Sequence, residues 1–281
     1  MKSKEIKFSL LMAVYAKDNP RYLKDALNSV VDNSAIPNET VIVIDGQIGN
    51  ELKSIIDEFL VPLSIRKIQL PENGGLGMAL RIGLEACSCE WVARFDSDDV
   101  CFPDRFEKQL NFIRDHPDVD LFSAPILEFD NDISNEYFYL RDVPRSPMHI
   151  RQYSNWRSPM NHMAVMMRKQ VAINAGNYQD NKSFEDYSLW VRMLLNGATL
   201  SNMNQPLVYA RAGQAIRLRR GGLAYLKSEF RFMKLLKQWG FISNRQLYLM
   251  LITKTPVRIM PAVVRQILYW KYMRKKISAG G

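Results

Sequence analysis

Trp91-Val92-Ala93-Arg94-Phe95-Asp96-Ser97-Asp98-Asp99 is the most informative stretch of this 281-residue chain. An apolar segment runs directly into three carboxylates, which predicts a buried strand with an acidic cluster at its carboxyl end. Like charges this close raise one another's pKa, and a hard divalent cation with oxygen ligands relieves the repulsion and also holds phosphates. A solvated acidic turn, or a helix N-cap at Asp98 or Asp99, is the alternative interpretation.

Strand-like and helix-like patterns alternate around this stretch. Between the predicted strands, apolar residues recur at helical spacing, and Asn19 followed by Pro20 is a helix start signal. The alternation predicts an α/β fold with right-handed crossovers and a mostly parallel central sheet flanked by helices. The predicted strands are residues 8–15, 40–44, 63–70 and 91–95, followed by less regular ones at 120–129, 136–140 and 161–168.

Aromatic and acidic side chains stand at the predicted carboxyl ends of these strands, where ligands bind in parallel sheets. Tyr15 ends the first strand, Asp45 ends the second, and Asp96 to Asp99 follow the fourth. An aromatic ring stacks on a base, a lone Asp accepts from a base imide or a ribose hydroxyl, and the acidic cluster holds a metal on a diphosphate. The set predicts a nucleotide site, with core packing of Tyr15 and a simple turn at Asp45-Gly46 as the alternatives.

The charge of the chain is divided between two regions. Residues 211–281 hold 16 of the 38 Lys and Arg residues but only one of the 29 Asp and Glu residues, a net charge of +15. The first 210 residues therefore hold 22 bases and 28 acids, a net charge of −6, which argues against a nucleic-acid groove there. Three cysteines without zinc-type spacing indicate a reduced, cytoplasmic compartment, and no apolar run is long enough to predict a membrane span.

Basic amphipathic helices are predicted in the C-terminal region. Residues 223–239 interleave Lys and Arg with Tyr225, Leu226, Phe230, Met233 and Leu236, and a similar pattern follows Pro261. Helices of this kind lie on anionic membrane surfaces, which is the interpretation that we favour. Packing helices with solvated basic faces, or a nucleic-acid site, are the alternatives.

Five segments between residues 8 and 220, taken in order, resemble a bacterial family-2 inverting glycosyltransferase of the GT-A fold. Enzymes of this kind build O-antigen, capsule or exopolysaccharide repeats. Asp-x-Asp alone is common by chance, but the ordered series is much more specific. The segments are Phe8-Ser9-Leu10-Leu11-Met12-Ala13-Val14-Tyr15, Val41-Ile42-Val43-Ile44-Asp45-Gly46, Asn73-Gly74-Gly75-Leu76 with Ala79-Leu80, Ala93-Arg94-Phe95-Asp96-Ser97-Asp98-Asp99, and Phe184-Glu185-Asp186-Tyr187-x-Leu189-Trp190.

The resemblance implies roles for individual residues. Asp186 is the implied catalytic base, with a helix N-terminal charge as the alternative, and Asp98 and Asp99 are the implied metal ligands. Acceptor binding is implied for His162, Glu185 and Trp190, although a structural role suits His162 and core packing suits Trp190 at least as well. The implied nucleotide-sugar-binding residues are Ala13, Tyr15, Asp45, Asn73, Arg81, Asp96, Asp98, Arg219 and Arg220.

The resemblance also implies the reaction and its participants. The expected donor is a UDP-hexose such as UDP-galactose or UDP-glucose, with Mn²⁺ or Mg²⁺ on its diphosphate. The expected acceptor is a lipid-diphosphate-linked saccharide at the inner face of the cytoplasmic membrane, and no nucleic acid is expected as a partner. A catalytically inactive protein of the same fold, which binds nucleotide-sugars or assists membrane assembly, is the alternative.

The domain prediction follows the charge division. Residues 1–210 form the GT-A catalytic domain, in which about 1–117 bind the nucleotide-sugar and about 118–210 the acceptor. Residues 211–281 form a basic helical region associated with the membrane.

Overall fold

The computed structural model describes residues 5–130, 133, 137–212, 221–260, 264 and 275–278. A seven-stranded sheet forms its centre. The first four strands along the chain, β1 (Phe8–Tyr15), β2 (Glu39–Asp45), β3 (Ile65–Gln69) and β4 (Trp91–Arg94), are parallel. Strand β9 (Met166–Arg168) runs antiparallel to its neighbours β4 and β6 (Leu121–Ser123). The mostly parallel α/β architecture that the alternation predicts is thereby confirmed. The strands lie side by side in the order β10 (Leu200–Asn202), β6 (Leu121–Ser123), β9 (Met166–Arg168), β4 (Trp91–Arg94), β1 (Phe8–Tyr15), β2 (Glu39–Asp45) and β3 (Ile65–Gln69).

A second, five-stranded sheet lies beside the acidic stretch. Its strands β7 and β11 are parallel, whereas β5 pairs antiparallel with β11 and β12 pairs antiparallel with β8. Because β5 directly follows the acidic cluster, this sheet holds the far side of the loop on which the cluster lies. The strand order is β12 (Lys275–Ser278), β8 (Tyr137–Arg141), β7 (Ile126–Phe129), β11 (Val208–Arg211) and β5 (Val100–Cys101).

Helices cover the main sheet and extend beyond it at the C-terminal end of the chain. Asn19 caps α1 as predicted, since its side-chain oxygen accepts the amide of Arg21 at 2.9 Å. The apolar stripe of α1 packs into the core because its residues recur at helical spacing. The helices are α1 (Pro20–Val31), α2 (Asn50–Glu58), α3 (Leu76–Ala86), α4 (Arg105–Asp115), α5 (Pro147–Tyr153), α6 (Lys169–Asn174), α7 (Glu185–Leu195), α8 (Gly222–Gln238) and α9 (Asn244–Ile259).

Two of the less regular predicted strands differ from the structure. The strand predicted at 120–129 is split into β6 and β7, which belong to different sheets. The strand predicted at 161–168 begins with a 3-10 turn, His162–Ala164, and only Met166–Arg168 pairs in the sheet. Short apolar runs do not distinguish a strand from a buried turn, which explains both errors.

Helices α8 and α9 pack against each other and against α7. Phe232 of α8 stacks on Phe184 with ring centroids 4.8 Å apart, and it also contacts Tyr187 at 4.8 Å. Met233 and Leu236 are buried in the same cluster. Part of the apolar face of α8 therefore forms a core with α7, and association of the C-terminal region with a membrane stays a prediction. The predicted boundary at residue 210 also falls inside β11.

A buried group of ion pairs joins this pair of helices. The side chain of Glu229 in α8 is 2% exposed, and its Oε2 and Oε1 accept hydrogen bonds from Arg258 of α9 at 2.7 and 3.0 Å. Lys254 lies 3.2 Å from Oε1. The ion pairs tie α8 to α9. None of the helices in the described part of the chain is long and apolar enough to cross a bilayer.

Candidate active site

The central sheet brings the predicted strand-end residues to one edge. Tyr15 is the register partner of Asp45, and Leu11 of the same strand is the partner of Arg94, which precedes Asp96. Tyr15 is 36% exposed, whereas Asp45 is almost wholly buried. The aromatic ring of Tyr15 is therefore available to a ligand at this edge. Ala13 lies two residues earlier in the same strand and is partly exposed.

Asp45 shapes the loop that leads into α3. One carboxylate oxygen accepts the amide of Gly74 at 2.7 Å and the other accepts that of Gly75 at 3.0 Å. Asn73 donates to the Asp45 carbonyl at 3.3 Å, and Gly46, at a φ of +80°, lets the two loops touch, since a Cβ there would lie 2.8 Å from the amide nitrogen of Asn73. The turn interpretation of Asp45-Gly46 thus accounts for these contacts, and direct contact of Asp45 with a base stays a prediction.

Arg94 is a buried cation beneath the acidic cluster. Its side chain is 1% exposed, and one guanidinium nitrogen lies 2.5 Å from a carboxylate oxygen of Asp96. The other two guanidinium nitrogens have no hydrogen-bond partner among the described residues. A cation buried in this way fixes the orientation of Asp96 and lowers the electrostatic cost of the carboxylates that follow it.

Asp98 and Asp99 are held with unusually high proton affinity. Burial first, and then the charges of Asp96 and Asp18, raises the pKa of Asp98 to about 7. Burial, followed by Asp98 and Asp96, raises the pKa of Asp99 well above its usual range. One oxygen of Asp99 accepts the amide of Arg211 at 2.8 Å, and the other is buried without a partner among the described residues.

Asp18 is a fourth acid of this edge, which the sequence interpretation missed. It accepts the hydroxyl of Ser97 at 2.9 Å and the amide of Tyr15 at 3.1 Å, so it links the loops after β1 and β4. Burial, and to a lesser extent Asp96, raises its pKa. Its position three residues beyond the end of the first strand was the available signal, because loops after parallel strands gather at one edge.

The acidic edge fits a divalent cation. Its donors are carboxylate oxygens, which Mg²⁺ and Mn²⁺ prefer, and the raised pKa values and the unpartnered oxygen of Asp99 indicate negative charge that lacks compensation. No set of three or more His, Cys, Asp or Glu side chains within the described ranges converges to enclose an ion by itself. Magnesium is commonly bound by one or two carboxylates together with substrate phosphates, which agrees with this arrangement.

The first turn of α7 adds two further carboxylates, Glu185 and Asp186, to the candidate site. A Cβ on Gly77 of α3 would lie 2.9 Å from the side chain of Glu185, so the glycine allows α7 to approach the loop held by Asp45. Glu185 accepts the amide of Ser183 at 3.1 Å, and burial raises its pKa. Asp186 is partly exposed in the same turn, as the sequence predicts.

A buried aromatic cluster lies between α7 and Arg94. His162 shares a 2.9 Å hydrogen bond between its Nε2 and the hydroxyl of Tyr178, and its ring meets Trp190 edge to face. Burial, and next the charge of Arg94, holds the pKa of His162 well below its usual range, so the ring is neutral although one edge reaches the surface. Trp190 is fully buried. Core packing therefore replaces sugar stacking as the role of Trp190, and His162 is engaged within the cluster.

Tyr178 of the aromatic cluster is influenced by the charges of Asp96 at the end of β4 and of Asp186 in α7. Burial raises the pKa of its hydroxyl; among the charges, Arg94 lowers this pKa while Asp186 and Asp96 raise it. The charges of the predicted base and of the predicted ribose-binding acid therefore both act on one buried ring. The sequence contained no local signal for Tyr178, because only the folded chain places it there.

The described residues do not show the predicted donor-binding arginines at the acidic cluster of Asp96, Asp98 and Asp99. Arg81 lies on the exposed side of α3, with its Nε 3.7 Å from Glu85. Arg219 and Arg220 lie outside the described residues. Arg211, which is described, instead contacts the cluster, since its Nε donates to the Asp98 carbonyl at 3.1 Å and its guanidinium covers the Tyr22 ring at 3.6 Å.

A sequence profile described as Glycosyl transferase family 2 matches residues 9–173. The chain belongs to this family. It is 39% identical over 269 residues to the amylovoran biosynthesis glycosyltransferase AmsE of Erwinia amylovora, covering 94% of this chain and 98% of that protein. It is 37% identical to an Escherichia coli UDP-Gal:alpha-D-GlcNAc-diphosphoundecaprenol beta-1,3-galactosyltransferase, covering 96% and 97%, and 37% identical to an uncharacterised Haemophilus influenzae glycosyltransferase, covering 96% and 100%. The protein is a glycosyltransferase.

Two solved structures share the fold. S. aureus TarS 1-349 in complex with UDP-GlcNAc matches with a TM-score of 0.66 at 19% identity, covering 85% of this chain and 68% of that one. The Pyrobaculum calidifontis mannosyltransferase PcManGT, in complex with GDP-Man and Mn²⁺, matches with a TM-score of 0.58 at 14% identity, covering 94% and 79%. The predicted GT-A fold of the glycosyltransferase is confirmed.

Proposed function

We propose that this glycosyltransferase moves a hexose from a UDP-sugar to a lipid-diphosphate-linked saccharide, with inversion, in the synthesis of a bacterial surface polysaccharide. The observation that supports the proposal is that the first turn of α7 approaches Gly77, next to the loop held by Asp45, while the charges of Asp96 and Asp186 both act on Tyr178. The names of the Escherichia coli and Erwinia amylovora relatives support the donor, the acceptor and the polysaccharide.

In the donor half, we assign Tyr15 to stack on the base and Asp96 to accept from the ribose, because the ring is exposed and Arg94 fixes the carboxylate. Asp98 is the carboxylate that would hold Mg²⁺ or Mn²⁺, since it is more exposed than Asp99. Asp99 fixes the loop through the amide of Arg211. The bound cation would neutralise negative charge on the departing diphosphate.

The remaining predicted donor contacts are secondary in this proposal. Asp45 and Asn73 hold the loop beside the base, and Ala13 leaves room next to it. Arg219 and Arg220 retain the proposed role of phosphate-binding guanidinium groups, whereas Arg81 is the weakest assignment because it faces Glu85.

In the acceptor half, Asp186 accepts the proton of the acceptor hydroxyl while the hydroxyl oxygen attacks the anomeric carbon. The bond between this carbon and the diphosphate oxygen breaks, and its electron pair leaves with the nucleoside diphosphate. Attack from the opposite side inverts the anomeric configuration. Glu185 borders the acceptor, and the neutral His162 and Tyr178 support α7 from beneath.

The test is transfer from a panel of nucleotide-sugars to short synthetic lipid-diphosphate saccharides, read by product mass and anomeric configuration, with and without EDTA. We expect one UDP-hexose to give an inverted, EDTA-sensitive product. The variant Asp186→Asn should lower kcat by about 1,000-fold, because general-base catalysis contributes 10² to 10⁴, while Asp115→Asn, at the end of α4, should leave it unchanged.

Each contrary outcome overturns a stated part of the proposal. A retained anomer contradicts inversion, and unchanged turnover in Asp186→Asn contradicts the base. Donor binding without transfer to any acceptor would favour the inactive binding protein of the same fold.

A further inference from the structure

The segment around α5 carries positive charge that no neighbouring acid in the sequence offsets. Residues 143–179 contain five Lys and Arg residues and no Asp or Glu, although the first 210 residues as a whole are acidic. Helix α5 and the turn that follows it hold two of these bases, Arg151 and Arg157, on the surface of the protein. A surface segment of this kind attracts an anionic ligand.

Arg151 and Arg157 differ from the other arginines of residues 118–210, because no carboxylate or backbone carbonyl among the described residues engages their guanidinium groups. Arg151 donates to the side-chain oxygen of Asn155 at 2.7 Å and lies 3.8 Å above the Phe241 ring. Arg157 lies 5.4 Å above the Tyr153 ring. Both groups are thus held in place and keep N–H donors for a ligand. The other four arginines are engaged: Arg141 by Glu128, Arg145 by Asp142, Arg168 by Glu90 and Asp120, and Arg192 by the carbonyls of Ala175 and Asn177.

The turn after α5 is tied to the first turn of α7, which carries the predicted base. The hydroxyl of Tyr187, the residue after Asp186, donates to the carbonyl of Ser154. Burial, and then the charge of Asp186, raises the pKa of Tyr187, whereas the charge of Arg157 lowers it. Burial lowers the pKa of Arg151, and Tyr187 acts in the opposite direction. Both arginines and Asp186 therefore lie around one tyrosine.

We propose that Arg151 and Arg157 form the subsite that binds the diphosphate of a lipid-linked acceptor. The inference rests on the proposed function, in which Asp186 takes the proton of the acceptor hydroxyl. When the acceptor carries a single sugar, its diphosphate lies one sugar ring away from the attacked hydroxyl, so cations beside the base are in the position to meet it. Guanidinium groups suit this task because they bind phosphate oxygens in a fork.

The cations next to the proposed metal ligands are different ones. Burial raises the pKa of Asp98 to about 7, and the positive charges that counteract this shift are those of Arg94 and Arg211. Arg211 also donates to the carbonyl of Asp98 at 3.1 Å. The site thus has separate places for the phosphates of the donor and of the acceptor, and the second place makes a diphosphate-linked acceptor preferable to a neutral glycoside.

The first test is the binding of decyl diphosphate and of neutral decyl glucoside, measured calorimetrically with saturating UDP and Mg²⁺ so that the donor site is occupied. We expect the wild type to prefer decyl diphosphate, and the affinity of Arg151→Gln/Arg157→Gln for it to fall by at least about tenfold. Arg157→Gln alone, which keeps the contact between Arg151 and Phe241, should lose at least about threefold. Arg114→Gln, which removes an exposed charge from α4, is the matched control and should bind as the wild type does.

The second test is transfer to one saccharide carried either on a decyl diphosphate or on a neutral decyl group. The double variant should raise the KM for the diphosphate acceptor by at least about tenfold, and it should leave the donor KM and transfer to the neutral acceptor unchanged. Thermal unfolding of each variant checks that the fold is kept.

Equal affinity of the wild type and both variants for decyl diphosphate would overturn the proposal. A raised donor KM in the double variant would assign the arginines to the donor instead. Loss of binding to phosphatidylglycerol vesicles, with unchanged affinity for decyl diphosphate, would assign them to a lipid surface and would also overturn it. If Asp186→Asn remains active while the double variant loses decyl diphosphate binding, the proposed base fails and the subsite stands.

Discussion

At the scale of single residues, Arg94 is the least expected feature of the site. Its guanidinium is buried against Asp96, and its charge acts on Asp98, Asp99, His162 and Tyr178. Because removal of one partner from a buried ion pair leaves the other charge uncompensated, such positions tolerate substitution poorly. Arg94 thus joins the acidic edge to the aromatic cluster under α7.

The substitution Arg94→Gln should raise the KM for the donor by about tenfold or more, since Asp96 loses the group that orients it. It should also lower the free energy of unfolding by about 3 kcal/mol. Steady-state kinetics and thermal unfolding measure the two effects. Arg114→Gln, on the exposed end of α4, is the control. It should leave the donor KM unchanged and should change the free energy of unfolding by no more than about 0.5 kcal/mol. An unchanged donor KM in a folded Arg94→Gln variant would show that Arg94 serves stability alone.

The sequence predicts site residues well where local patterns position them. Tyr15, Asp45 and the acidic stretch were placed correctly at one edge because strand ends and parallel crossovers determine that edge. Asp18 and Tyr178 were missed because their importance depends on partners distant in sequence, Ser97 and His162, and Arg94 was missed because its importance depends on burial. Burial, which separates Trp190 from a sugar platform, is likewise a property of the folded chain.

At the scale of secondary-structure elements, the same limit applies to the C-terminal helices. The amphipathic pattern of α8 was recognised, but a pattern does not say whether an apolar face meets a protein core or a bilayer. The apolar face of α8 packs in the core with Phe184 and Tyr187. The sequence interpretation did not predict helix α9, because its apolar and polar residues are mixed and show no clear helical pattern.

Glu229 should link the stability of α8 and α9 to pH. Burial favours the neutral acid, but the hydrogen bond from Arg258 and the charge of Lys254 outweigh it and lower the pKa below the usual 4.5. The lowered pKa means that this ionised group stabilises the fold above pH 4.5 and that the stabilisation is lost as the pH falls through the lower folded-state pKa.

We therefore expect Glu229→Gln to lower the free energy of unfolding by about 2 kcal/mol near neutral pH, and the difference from wild type to disappear in acid below the lowered pKa. Thermal unfolding across pH measures this difference. Glu51→Gln, exposed in the first turn of α2, is the control and should differ by less than about 0.5 kcal/mol. A Glu229→Gln difference that is constant across pH would mean that packing, and not the ion pair, is responsible.

At the scale of the whole molecule, residues 1–210 and the basic C-terminal helices share a core. One buried cluster contains residues from both segments: Phe184, Tyr187 and Val191 from the first, and Phe232, Met233 and Phe241 from the second. The net charge divides the chain near residue 210, but the apolar contacts do not. Charge on the surface reports on partners, whereas buried apolar area decides which segments fold together.

A chain ending at residue 212 should consequently be unstable. Exposing Phe184, Tyr187 and Val191 costs roughly 2 kcal/mol for each side chain, a total that approaches the stability of many domains. We expect the truncated chain to aggregate or to melt more than about 10 °C below the full-length protein in a calorimetric scan. The full-length variant Val61→Ser is the matched control, because it changes an exposed apolar side chain but keeps the shared core, and it should melt close to the wild type. If the truncated chain also melts at the wild-type temperature, residues 1–212 fold as an independent domain, and the C-terminal helices do not support the helix that carries Asp186.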